Sequence, residues 1–342
     1  MTNTMSPKER IHATIAQLPV DRTPVTPIFM AWAAHYIHRT YRDYYLEGDV
    51  LVQSNLAVAG DFNIDQVSAI SDPWREADDY GMQFDYPPEG VGKPKAHLLN
   101  TAADIDSLRN IDTDHCPRMN QRAASIAQLA AAVGDTHSVL GWLEGPIAEY
   151  VDLRGINQAM VDLVDQPDFF TDAADVLVDN AINFARQQAA AGADMIAIGD
   201  AAASLIGPQL YEQLVLPYQK KLFAAIHELG PKVKLHICGN ITDIIALMAT
   251  TDADVIDVDW MVPLDYARSQ VGQDITLCGN FDPAAVLLQG TPAEVTTAAQ
   301  QCIAAAGSSF ILMPGCEVPP GTPTENLRAF CPNDATRGWL SR

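Results

Sequence analysis

Positive charge is scarce in this chain of 342 residues, where 21 Lys and Arg stand against 43 Asp and Glu for a formal net charge of −22. Nucleic acids and anionic membranes are gripped mainly through Lys and Arg, so a chain this acidic is expected to bind neither. Long apolar runs are also missing, and no stretch reaches the length needed to span a bilayer. Met1 to Arg10 carries no signal-peptide pattern, so the expected location is the cytoplasm. Cysteine is sparse: six residues in a chain this long do not form a disulfide framework, and a reducing compartment keeps such thiols free for metal. Internal repeats and low-complexity tracts are absent. What remains is an ordinary globular composition, 48% hydrophobic, sufficient for a large core.

Two of the six cysteines stand out. His236-Ile237-Cys238-Gly239 is followed 78 residues later by Pro314-Gly315-Cys316-Glu317. His236 and Cys238 end the alternating run Lys232-Val233-Lys234-Leu235-His236-Ile237-Cys238, so on a strand of period two both side chains point to one face. A single ion could touch both, with Cys316 as third ligand. Gly315 is expected to relax the backbone limits and aim that cysteine inward. One imidazole and two thiolates suit tetrahedral Zn2+, and three protein ligands with one open position mark a catalytic rather than a structural site. An open zinc ion binds a thiol and holds it deprotonated near neutral pH, which makes an activated nucleophile. A His and a Cys two apart on a buried strand can equally be core residues. The third donor and its place in the fold favour metal. Cys116, Cys278, Cys302 and Cys331 are read as structural.

Short β-like runs are expected at residues 25–29, 65–70, 138–142, 194–198, 232–237, 254–258, 275–278 and 310–313. Amphipathic or Ala-rich helices separate most of them, such as 168–191, 209–229 and 292–306. Eight alternations predict an α/β fold, a parallel (β/α)8 TIM barrel forming one domain over residues 1–342; an open doubly wound sheet is the alternative. Residues 72–136 exceed a standard connection and are read as an insertion over the barrel mouth between the second and third strands. Ser6-Pro7-Lys8-Glu9, Thr291-Pro292-Ala293-Glu294 and Thr322-Pro323-Thr324-Glu325 are three capping-box helix starts.

Barrel active sites lie at the carboxyl ends of the strands, where His236 and Cys238 end the fifth and Cys316 follows the eighth. Asp72, Glu144, Asp200, Asp257, Asp259 and Asn280 fall at equivalent ends, which implies a pocket. Each also has a plain structural reading: Asp72 before Pro73 can organise a turn, and Asp200 can cap the next helix. Glu144 or Asp200 is a candidate fourth zinc ligand, and the sequence does not choose between them.

These residues resemble a known group. Lys8-Glu9-Arg10 with Pro19-Val20-Asp21-Arg22-Thr23-Pro24-Val25, then His236-Ile237-Cys238-Gly239-Asn240, Gly279-Asn280-Phe281-Asp282-Pro283, and Pro314-Gly315-Cys316 through Pro323-Thr324-Glu325-Asn326 are similar to the uroporphyrinogen decarboxylase superfamily. The similarity covers nearly the whole chain and is strongest to the methylcobalamin:coenzyme M methyltransferase branch. It implies a (β/α)8 barrel, zinc on His236, Cys238 and Cys316, and a small thiol such as coenzyme M that takes a methyl group from a methylcorrinoid on a partner corrinoid protein. On that reading Asp200, Glu144, Asn280 and Asp259 orient thiol or corrinoid, while Trp32 and Trp142 pack on the macrocycle's edge. The decarboxylases resemble one another in an arginine-bearing segment after the first strand; here Met30-Ala31-Trp32-Ala33-Ala34-His35 has none. A polycarboxylate substrate needs cationic partners. Asp72 does fall where the decarboxylases place their catalytic aspartate, which keeps a metal-independent decarboxylase as the rival. The oligomeric state and the original methyl donor are left open.

Overall fold

Runs such as Val139-Leu140-Gly141-Trp142-Leu143 and Met195-Ile196-Ala197-Ile198 lack a polar alternate face, the mark of strands covered on both sides. In the computed structural model, which describes residues 5–331, they are the centre of a seven-stranded sheet. The strands are β1 (Gln66–Ser68), β2 (Ser138–Glu144), β3 (Met195–Gly199), β4 (Lys232–Ile237), β5 (Val255–Val258), β6 (Thr276–Phe281) and β7 (Phe310–Pro314). They lie in chain order and every neighbouring pair is parallel.

The expected first strand at 25–29 is reduced to one bridge, Val25 to Leu312. Pro24 and Pro27 flank it, and proline has no N–H to extend a ladder. The segment still bonds in both directions. Thr26 N donates to Leu312 O at 3.0 Å and Leu312 N to Pro24 O at 2.8 Å, while Asp65 N donates to Val25 O at 2.8 Å. The two edges of the sheet are thus joined through residues 24–26. Asp65 anchors the junction, with Arg22 at 2.6 Å and Arg10 as buried ion partners, and Arg10 also holds Asp21 at 2.7 Å. The amino-terminal motif is a structural clamp.

Helix α1 (Pro7–Ile15) lies across the amino ends of the strands, its Ile11 in the inner apolar cluster, and further helices cover the outer face: α2 (Gly48–Asp61), α3 (Pro117–Val133), α4 (Pro146–Arg154), α5 (Pro167–Ala190), α6 (Leu216–Leu229), α7 (Leu264–Val271), α8 (Pro292–Ala306) and α9 (Thr324–Phe330). The capping boxes at Ser6 and Thr291 form, but α9 starts from Pro323 without a side-chain cap. Residues 72–136 hold helices at Arg75–Asp79 and Ala102–Arg109, an antiparallel ribbon pairing Phe84–Asp85 with Lys93–Pro94, and α3. Inside the sheet a second apolar cluster includes Leu140, Trp142, Met195, Ala197, Val255, Cys278 and Met313. That cluster is the floor on which the site stands.

Candidate metal centre

Parallel register sets the site. His236 on β4 pairs with Asp257 on β5, and Asp257 with Cys278 on β6, so these side chains share the inner face. His236 Nδ1 lies 3.0 Å from Asp257 Oδ2, which also meets Lys234 Nζ at 2.9 Å. His236 Nε2 faces the other way, 2.8 Å from Cys238 Sγ and 4.0 Å from Cys316 Sγ. The two sulfurs are 3.7 Å apart. Ligands about 2.3 Å from a tetrahedral ion would place two sulfurs about 3.8 Å apart, which is the spacing of this pair, and the imidazole nitrogen stands on either side of the about 3.5 Å that such an ion needs from each sulfur. Among the described residues, His236, Cys238 and Cys316 are the one cluster of three or more such donors, with ligand atoms within 4.8 Å of one another.

Strand β4 ends at Ile237, one residue short of Cys238, and the chain turns at Gly239 with φ +92°. Asp259 ties that turn down: Oδ2 accepts Gly239 N at 2.6 Å and Oδ1 accepts Trp260 N at 2.6 Å. Gly315, expected to relax the backbone limits, is not in the left-handed region. Its bare Cα matters for space, since a Cβ there would lie 2.5 Å from Trp260 N and 3.1 Å from Asp259 Oδ1. The electrostatics favour anionic sulfur. Cys316 is pulled well below the usual thiol range by its hydrogen bond with Cys238 and the nearby imidazole, while Cys238 is pushed up. A cavity of about 370 Å³ opens onto Cys238 and Gly239, with Glu144, Asp152, Ile156 and Leu205 in its lining. A larger one of about 410 Å³ lies at the opposite ends of the strands among His12, Asp194, Lys232 and Asp254. Its Asp and Lys charges are already paired, Asp194 with Lys8 and Lys232 with Asp254.

Comparison with known proteins places the chain in a family. The sequence matches the uroporphyrinogen decarboxylase (URO-D) family over residues 6–333. The chain belongs to that family. A methylcobamide:CoM methyltransferase of Methanosarcina mazei is 30% identical over 332 residues, 94% of this chain and 96% of the relative. A uroporphyrinogen decarboxylase of Synechococcus is 28% identical over 328 residues, 91% of each chain. A solved methyltransferase from Methanosarcina mazei shares the fold, with a TM-score of 0.83 at 21% identity over 95% of this chain and 97% of that one.

In this URO-D family member the other expected site residues part company. Glu144, the last residue of β2, lines the cavity; it accepts from Trp142 Nε1 at 3.2 Å and pairs with Arg75 at 3.1 Å. Burial pushes its carboxyl up to about 8, with Glu76 adding to the rise and Arg75 opposing it. Trp142 packs beside His236, ring centroids 5.8 Å apart. Asp200 is fully buried and is a cap: Oδ1 accepts Ile147 N and Ala148 N at the start of α4, and Oδ2 accepts Gln219 Nε2. Asp72 is engaged at both oxygens by Arg118, at 2.7 and 3.1 Å, and also accepts from Ser71. Asn280 lies within β6 rather than after it, and its Nδ2 clamps Val262 O at 2.6 Å. Trp32 is core, stacked on Tyr36, edge-on to Phe62 and donating to Thr322 O.

Two residues escaped sequence reasoning. Asp257 is noticed there only as one polar group among several, yet it touches the histidine directly. Lys234, 2% exposed, stands beneath it in the apolar interior. Parity was the available signal, because 234, 236 and 238 share one face.

Proposed function

We propose that this chain moves a methyl group from a methylcorrinoid, presented by a corrinoid protein, to a small thiol, with Zn2+ held by His236, Cys238 and Cys316. The observation that carries the reading is the convergence of one imidazole and two thiols beside a cavity large enough for a reactant. Zinc in such a site supplies a position where a thiol binds and loses its proton near neutral pH. The chain's own residues do the rest. Asp257 holds the His236 ring so that Nε2 faces the sulfurs, the carboxylate support that metal-binding histidines usually have. Asp259 fixes the Gly239 turn and Gly315 lets the Cys316 loop close on it. Glu144 lines the cavity where the thiol's carbon chain would lie, and Trp142 stands behind it, donating to Glu144 and packed beside His236. In the reaction an S–C bond forms, the cobalt–carbon bond breaks with its electron pair left on cobalt, and the thiol proton is released. The frame for this is read as one (β/α)8 domain, with residues 24–26 as its first stave and residues 72–136 inserted at the mouth.

The decarboxylase alternative needs a free Asp72 and cations for substrate carboxylates. Asp72 is committed to Arg118, and among the described residues no Lys, Arg or His lines the cavity. The deciding experiment combines zinc analysis of wild type and Cys316→Ser with an assay of methylcobalamin against small thiols. Metal and methyl transfer should be lost together in the variant. Full activity in a zinc-free variant overturns the reading.

A further inference from the structure

The cavity beside the metal centre also constrains the chemistry of the acceptor thiol, an inference that rests on the methyl-transfer reading. Its lining is Ala148, Val151, Ile156 and Leu205 among apolar groups, and Glu144 and Asp152 among charged ones. The guanidinium beside it is spent: Arg75 is fully buried, 3.1 Å from Glu144 and 3.2 Å from Glu76, with a further hydrogen bond to Asp72 O. Behind Glu144 sits Glu149, 4% exposed, with no hydrogen-bond partner at either carboxylate oxygen. Glu76, Glu144 and Glu149 line one small buried space, so with Asp152 four carboxyl groups crowd round one arginine. Burial and this crowding raise Glu144 and Asp152 alike. Such a place is short of positive charge: an incoming ammonium lets these carboxyls ionise against it, whereas an anion finds no cation to pair with.

We propose that the acceptor thiol carries an ammonium group near its sulfur, so that the head group meets Glu144 and Asp152 while the sulfur meets the metal. The methyltransferase relatives are named for CoM, whose head group is a sulfonate, and this cavity offers a sulfonate no cationic partner among the described residues. Specificity here would come from the charge placed against the wrong substrate as much as from contacts to the right one.

Three thiols on the same two-carbon frame separate the possibilities: 2-mercaptoethylamine, 2-mercaptoethanol and 2-mercaptoethanesulfonate. The zinc-loaded protein is assayed with methylcobalamin for kcat/KM on each, and the cobalt-substituted protein is titrated with each by visible spectrum. The ammonium thiol should exceed the sulfonate by at least about tenfold in both arms, with the alcohol between. Combining Glu144→Gln with Asp152→Asn should draw that ratio toward one. A sulfonate that equals or beats the ammonium thiol, with turnover intact, overturns this inference and leaves the methyl-transfer reading standing. A ratio unmoved by the two substitutions also overturns it. No response to any thiol in either arm removes the methyl-transfer reading itself.

Discussion

Replacing Asp257 with Asn would leave the Lys234 ammonium inside the barrel without a counter-charge, its neighbours being a neutral amide and two sulfurs, Met313 Sδ at 3.2 Å and Cys278 Sγ at 3.6 Å. Burial alone would raise the Asp257 carboxyl, but Lys234 and His236 hold it below its ordinary range, so the pair is ionised in the wild type. Stranding one member of a buried ion pair costs about 3–5 kcal/mol. Lys234→Met alone should cost less, because His236 can still sit against the carboxylate. Changing both residues removes both charges and the desolvation they suffer, so the double variant should lie well above the sum of the singles, by about 2–3 kcal/mol. Urea unfolding of the metal-free protein in chelator measures this without zinc shifting the midpoint. Zinc competition on the same proteins should show Asp257→Asn binding about 10–100-fold more weakly, since the histidine loses its support. A cost below about 1 kcal/mol for Asp257→Asn, or simple additivity of the pair, would refute the reasoning.

Two further perturbations test the parts that hold the site. Gly315→Ala forces a Cβ against the Trp260 backbone nitrogen, which cannot yield as a side chain would; the expected cost is about 1–3 kcal/mol, with weaker zinc retention as Cys316 is displaced. Unchanged zinc affinity in a chelator competition would show that the loop has slack. Asp200 is raised by burial to about 7 against the hydrogen bonds from Gln219, Ala148 and Ile147. A raised folded-state pKa means the folded protein holds this proton more tightly than the unfolded chain, so stability falls as pH rises from about 4 to about 7. Asp200→Asn keeps an acceptor for the α4 amides and cannot ionise, so its stability relative to wild type should climb across that window by on the order of a few kcal/mol. Urea midpoints at both ends of the window check it, and a constant difference between the two proteins would exclude the effect.

Local pattern carried a good deal of this protein's design. Apolar runs bounded by turn residues located seven of the sheet's strands to within a few residues, and the flanking prolines explain why the eighth run closes the sheet by one bridge instead of a ladder. Period-two alternation placed His236 and Cys238 on one face because that rule depends only on backbone geometry. The roles of the carboxylates were not legible in the same way. Asp72, Asp200 and Glu144 look alike in sequence, each an acid at the end of a strand. Asp72 is an ion-pair partner because α3 brings in Arg118; Asp200 is a cap because α4 begins beside it; Glu144 alone of the three faces the cavity.

By itself, then, the sequence determined which soft donors exist, the face on which two of them lie, and a net charge of −22. Tertiary structure decided that Cys316 reaches 3.7 Å from Cys238 across 78 residues, and which acids are already spoken for. The reason is physical: backbone periodicity acts between neighbours along the chain, whereas the environment of a buried charge is made by whatever distant element is packed against it.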